Sequence, residues 1–570
     1  MPFRNIETHF SQAPQANVKR SSFKYNKPLK TTFNAGDLVP FLVEEVLPGD
    51  TFDLKLSKVV RLTTSIHPTM DNLYLDTYFF FVPNRFLWDH WVNFMGESDK
   101  AWTDSTEYVP PYFLIGGDED EDTTDAGHID PQSVLQYLGI PSFYNNTKKI
   151  IRVNALAFNA YVKVWNDWFR SENLCDVVPI YTGDGHVNGS YIGSYCGFIE
   201  RLNGSLSDEV LFGDSNNCLR VAKFADYFTR ALPQPQKGAD VLIPAGGKVE
   251  LDLDNFEING AGEYPKFVDK DGNAYASNPY MVMSGVGSVS SDSNFTHYPL
   301  MYDPNGTLVF NGLEITVNNL RLAMQTQKLL ERDARGGTRY IELIKSHFNV
   351  VSPDLRLQRS EYLGGKRTLI NMSDVIQTSE TTSSSPLGQL AGRSLTTGIE
   401  DSFIKSFTEH GYIIGVMCVR PDRTYSQGIE KHWTRFDRLD YYYPVLANIG
   451  EIGIKNKEIY LTNLSESDID PDDVFGYQEA WSEYRTQRGR NTGFMQPGFS
   501  GSLAAWTYGD NYTSTPMLSA EWLYQGKSEI DATLAVKSSV APQLMADMLV
   551  YGKVVRPMPV YSIPGLVDHN

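Results

Sequence analysis

The chain has 570 residues, 41% of them hydrophobic and 21% charged, proportions of a folded globular protein that exclude wholesale disorder. With 50 Lys and Arg against 69 Asp and Glu, a net charge of −19, the whole molecule is not a simple binder of polyanions. Four cysteines with no CxxC pair do not make a disulfide framework or a zinc site, and the lack of an apolar leader core or a run of eighteen apolar residues predicts a reducing cytosol and no membrane span.

Residues 1–33 read as a basic extended arm. Arg4, Lys19, Arg20, Lys24, Lys27 and Lys30 stand against Glu7 alone, and Phe23 and Tyr25 lie among them. Cations pair phosphates and rings stack on bases, so Lys19, Arg20, Phe23, Lys24, Tyr25, Lys27 and Lys30 are the candidate nucleic-acid-facing residues. A solvated tail would share this composition.

From Gly36 the pattern changes. Thr51-Phe52-Asp53-Leu54-Lys55-Leu56 alternates apolar and polar and predicts a half-buried strand. Leu73 to Val82 predicts a longer buried strand ended by Pro83-Asn84, and a Trp-rich segment follows from Trp88 to Trp102. Six carboxylates within residues 117–125 cannot be buried and predict an exposed loop. A helix is predicted over 154–170, where Ala155, Phe158, Tyr161, Val162, Trp165, Trp168 and Phe169 share one apolar face. Others are predicted over 219–232, stopped by Pro233-Gln234-Pro235, and over 317–335, stopped by Gly336-Gly337.

Between the last two, residues 238–310 hold ten carboxylates, three lysines and no arginine. They read as an outward excursion, with an ordinary small β-subdomain as the alternative. Strands return with Gly411–Arg420, Tyr441–Val445 and Leu549–Val560. The chain is therefore expected to be mainly β: a single antiparallel eight-stranded jelly-roll sandwich, with long loop insertions and a few helices in the connections. Its parts are an arm (1–33), a first part of the sandwich (34–237), a surface insertion (238–310) and a second part (311–570).

Catalytic motifs are missing. There is no GxSxG and no HExxH; Gly526-Lys527-Ser528 has Glu521 where a phosphate loop needs its first glycine, and no two of the ten histidines stand three or four apart. No catalytic, metal or cofactor-binding residue is assigned. What recurs is arginine or lysine beside aromatics and glycine, at 335–340, 431–436 and 484–490, which fits inter-subunit or intramolecular ion pairs ahead of nucleic acid, because arginine serves protein interfaces so often. A glycan-binding or glycan-cleaving β-sandwich remains the alternative on residues alone.

Several segments together resemble the major capsid proteins of microviruses, the gokushovirus branch above all. They are Leu219–Gly238 with its DYFT and PQKG pieces, Ala334–Tyr340, Ser346-His347-Phe348 with Ser352-Pro353-Asp354, Arg356–Gly365, Asp437–Pro444 and Val474–Trp481. The resemblance implies a non-enzymatic jelly-roll subunit of a small icosahedral virion, sixty copies around single-stranded DNA, assembled in the bacterial host cytoplasm. It also implies a small basic DNA-packaging protein, an internal scaffolding protein, a minor or pilot capsid protein and a bacterial cell-surface receptor as partners. In that family an insertion after PQKG projects at the three-folds, which is where residues 238–310 begin. Sixty arms of net +5 supply about 300 charges, whereas a genome encoding this chain alone needs roughly 1,700 phosphates. The balance must come from elsewhere.

Overall fold

The computed structural model describes residues 19–97, 107–115, 131–141, 151–187, 218–239, 241, 266–268, 300–302, 317–337, 339–350, 359–376, 378, 381, 387–388, 390–461 and 470–561. The chain divides into two compact units, Met1–Pro235 with Ala334–Asn570, and Gln236–Asp333.

The first unit is mainly β and its two large sheets are antiparallel. Eight strands build them: β1 (Ser21–Phe33), β2 (Val39–Val46), β3 (Thr51–Leu62), β4 (Leu73–Pro83), β5 (Glu361–Leu369), β6 (Thr396–Ser406), β7 (Gly411–Pro421) and β8 (Leu544–Arg556). Sheet one has the order β1-β8-β3-β6 and sheet two the order β2-β7-β4-β5. No strand of sheet one has its chain neighbour beside it. Within β3 every second residue, from Phe52 to Leu62, is buried, and β8 alternates likewise from Leu544. That period of two means one covered face and one open face. By contrast β4 and β7 are buried almost without interruption, the mark of a sheet covered on both sides.

The second cover of sheet two includes a helix, α1 (Leu156–Trp168). Its Trp168 ring lies 5.5 Å from Phe80, and Phe169, just past its end, lies 5.5 Å from Tyr78. Trp165 is fully buried and donates from Nε1 to the Arg220 carbonyl at 2.8 Å. The expected apolar face is thus only partly buried, because Trp168 stays 37% exposed at the helix end.

Three expectations are corrected. Tyr441–Val445 is not a strand: it runs from one short 3-10 turn, Arg438–Asp440, into a second, Pro444–Leu446. Residues 219–232 are not a helix. Leu219, Val221 and Lys223 are buried with half-buried residues between them, and isolated bridges tie Arg220 to Asp37 and Ala222 to Tyr524. The Asp226 carboxylate then accepts from the Phe228 and Thr229 amides at 2.9 and 2.8 Å in an Asx turn, after which the chain continues as turns rather than as a helix. Nor are the cysteines all free thiols: Cys218 and Cys418 are, but Cys175 is disulfide-bonded.

Inside the sandwich an ion pair replaces apolar contact. Lys58, inward on β3, meets Asp401 of β6 at 2.7 Å with both side chains essentially inaccessible, and Thr77 of sheet two donates to the same carboxylate. The β6 register shifts between Gly398 and Asp401, a bulge that turns Asp401 inward. In the second unit the described residues pair Lys266–Val268 with Leu300–Tyr302 and form most of α2 (Val317–Gly336), which stops at the expected glycines. The rest of 238–310, apart from 238–239 and 241, lies outside the described residues.

Candidate nucleic-acid interface

The basic arm does not run free as far as residue 33. From Ser21 it is β1, an edge strand of sheet one hydrogen-bonded to β8 from end to end. Alternation then sorts the candidate residues. Lys24 and Lys30 stand exposed on the open face, and Lys19 and Arg20 precede the strand, also exposed. Phe23 and Tyr25 take the opposite parity and are half-buried, with Tyr25 packed on the core. They are not outward platforms for bases. The Tyr25 hydroxyl donates to Glu44; burial, reinforced by that carboxylate, pushes the phenol well above its ordinary range. Lys27 pairs with the same Glu44 at 2.7 Å and donates to the Val43 carbonyl at 3.1 Å. So Lys27 and Tyr25 fasten β1 to the second sheet, Phe23 is half-buried on the same side, and Lys19, Arg20, Lys24 and Lys30 remain candidates for outside contact.

Register across sheet one brings further cations beside them. Lys24 faces Lys553, which faces Asp53; Asn26 faces Tyr551, which faces Lys55; Thr32 faces Met545, which faces Arg61. Lys30 faces Asp547. Among the described residues the open face thus carries Lys24, Lys30, Lys55, Arg61 and Lys553 against Asp53 and Asp547, with Lys553 3.7 Å from Asp53. The chain as a whole has fewer cations than carboxylates, so this excess is local and concentrated on one flat surface. At one end of the face a cavity of about 570 Å³ is lined by Lys30, Arg61, Gln132, Gln136, Tyr137 and Met545. Gln132 holds a left-handed backbone, φ 72°, and its side chain accepts from Asn34 at 3.2 Å.

The other basic and aromatic clusters are spent inside the chain. Arg335 pairs with Glu451 and Glu479, and Arg339 with Glu172 and Glu342. Arg435 binds Glu483 at 2.6 Å and the Tyr484 hydroxyl at 2.7 Å. Arg485 pairs with Glu479, Arg490 with Glu430, and Arg488 donates to the Glu458 carbonyl. These are the internal ion pairs that the residue types also allowed.

Lys55, Arg61 and Lys553 were missed by sequence reading. Their signal was present in β3, where the alternation that buries Leu54 and Leu56 turns Lys55 out. Among the described residues no cluster of His, Cys, Asp and Glu could hold a metal ion, and no helix is long and apolar enough to cross a membrane.

Comparison with known proteins adds the family. A family model described as "Capsid protein (F protein)" matches residues 11–566. The chain is 37% identical to capsid protein VP1 of Bdellovibrio phage phiMH2K, over 98% of each chain. It is 35% identical to capsid protein VP1 of Chlamydia phage 1, again over 98% of each, and 35% identical to capsid protein VP1 of Spiroplasma virus 4, over 99% of this chain and 98% of that one.

Proposed function

The chain belongs to the capsid protein (F protein) family of gokushovirus-like microviruses and is a structural capsid subunit of a virion; from that premise we propose that sixty copies close a small icosahedral shell around single-stranded DNA, with the open face of sheet one turned toward the genome. The observation that carries the orientation is the local excess of five cations over two carboxylates on that face, in a chain of net charge −19. Phosphate-rich polymer is the ligand such a surface suits. Lys19 and Arg20 extend the same patch.

The strand order supports reading the sandwich as an eight-stranded jelly roll. Successive strands pass from one sheet to the other at every step except β4 to β5, which pair side by side. That is the alternation of two Greek keys folded face to face. A shell role asks for packing and charge, and for no catalytic step.

The face alters the charge arithmetic little. Lys55, Arg61 and Lys553 less Asp53 and Asp547 add one charge per subunit, so the shortfall against roughly 1,700 phosphates stands. A separate small basic packaging protein therefore stays in the proposal. The internal scaffolding protein, the pilot protein, assembly in the host cytoplasm, and host attachment through the 238–310 insertion stay there on the family resemblance alone.

The test is particle formation with genome content. The chain expressed in its phage background should give particles holding nuclease-protected single-stranded DNA. Replacing Lys24, Lys30, Lys55, Arg61 and Lys553 with Gln should leave the subunit folded and lower the DNA per particle. Labelling of these lysines by an impermeant reagent on intact particles would overturn the orientation.

A further inference from the structure

We propose that the lobe of residues 431–450 is a contact by which one capsid subunit grips a second copy of this chain. This rests on the capsid reading above and concerns a different surface from the basic sheet.

The lobe is built to stay in one shape. The Asp440 carboxylate accepts from the Phe436 and Asp437 amides, both at 2.9 Å, closing a short capped turn. Trp481 donates from Nε1 to the Leu446 carbonyl at 2.9 Å, and its ring meets Tyr442 edge-on at 5.6 Å. Arg438 donates to the Tyr443 hydroxyl at 3.3 Å. Surface order of this kind lowers the entropy lost on docking.

Yet between its charged residues Asp437, Arg438 and Asp440 it exposes large apolar side chains. Trp433 is 67% exposed, Phe436 87%, Leu439 72% and Val445 92%, with Tyr441, Tyr442 and Tyr443 exposed beside them. Together these side chains present on the order of 900 Å². The largest apolar patch on an ordinary monomer is roughly 300–600 Å², and one partner's share of a stable interface is about 800 Å². The lobe is thus the size of one half of an interface.

Charge and number choose the occupant. Of the arginines at the lobe, Arg435 holds Glu483 and Arg490 holds Glu430, and Arg438 lies over the Tyr443 ring and bonds its hydroxyl, so one arginine stands against a surface that otherwise offers a polyanion mainly rings and aliphatic groups. Every subunit of the shell carries the lobe. A partner covering each one must be as abundant as the subunit, and the chain itself meets that condition by symmetry.

The experiment pairs a substitution with a cross-link, both in the full chain. Phe436→Asp and Val445→Asp should leave the melting temperature of the free subunit within about 2 °C of wild type, because both side chains are solvent-facing, and should cut particle yield at least tenfold. A photo-reactive phenylalanine analogue at position 436, activated in intact particles, should yield a band of twice the subunit mass whose peptides all come from this chain. Wild-type particle yield from both variants overturns the inference. So does a cross-link to DNA or to a different protein, or an unlinked residue 436 in intact particles, whatever the fate of the variants. If the wild-type chain forms no particles, the capsid reading itself fails, which is a separate outcome.

Discussion

Salt dependence gives the sharpest measurement of the basic face. If its five cations contact single-stranded DNA, each releases a bound counterion, and log K should fall against log salt with a slope of about −0.7 per contact. Five contacts contribute about 3.5 to that slope. Between 50 and 200 mM salt this amounts to about a hundredfold in affinity. The perturbation is the joint replacement of Lys24, Lys30, Lys55, Arg61 and Lys553 with Gln, and the assay is fluorescence anisotropy of a labelled oligothymidine on the unassembled chain across that range. Folding should persist, because exposed substitutions usually stay within about 0.5 kcal/mol each. Among the described residues these five make one ion pair, the 3.7 Å contact of Lys553 with Asp53, on the surface. Replacing only Lys55, Arg61 and Lys553 should remove about 2 from the slope. Arg435→Gln with Arg490→Gln should leave it unchanged, since both arginines already hold carboxylates. An unchanged slope in the five-site variant, or an equal fall in the Arg435 and Arg490 control, would refute the assignment.

Three further outcomes concern the sandwich. Asp401→Ala should destabilise the chain by about 3–5 kcal/mol in urea unfolding, because it strands the buried Lys58 ammonium, whereas Lys58→Met with Asp401→Leu should be near neutral. Trp165→Ala should cost about 3–5 kcal/mol and Trp168→Ala clearly less, read as melting temperatures, since Trp165 is fully buried and Trp168 is not. Burial alone would raise the Asp76 carboxyl, but Arg367 and Arg420 outweigh it and hold it below the usual range. A depressed carboxylate stabilises above its unfolded value, about 3.9, and loses that contribution as pH falls through its folded value. Wild type should therefore exceed Asp76→Asn by a constant margin above about pH 4 that shrinks at lower pH; a margin that grows on acidification would contradict the pairing.

Local pattern carried much of the fold. The strict alternation of Thr51–Leu56 and the largely apolar run of Leu73–Val82, broken only by Asp76 and Thr77, each named a strand and, correctly, how many of its faces are covered. The helix at 154–170 and the glycine stop at 336–337 follow from the same rules of spacing. What failed was decided by partners distant in sequence. Residues 219–232 have helix-like spacing, but Leu219-Arg220-Val221-Ala222-Lys223 also alternates, and backbone partners at Asp37 and Tyr524 settle it as extended. The arm looked free because its charges hid an alternation whose meaning depends on β8. Lys58 and Asp401 could not be matched by inspection, since a bulge sets their facing and nothing near either residue announces the other.

The pairing of β1 with β8 has a consequence in time. β1 is made long before β8: 508 residues separate Ala35 from Gln543, whose side chain accepts the Ala35 amide at 2.9 Å. At about 5–20 residues per second, the ribosome leaves β1 without its partner for roughly half a minute or more. Among the described strands β1 has no other neighbour in its sheet. Sheet one is therefore completed only when β8 arrives, and a chain cut short before β8 leaves β1 unpaired and the cations of the open face dispersed.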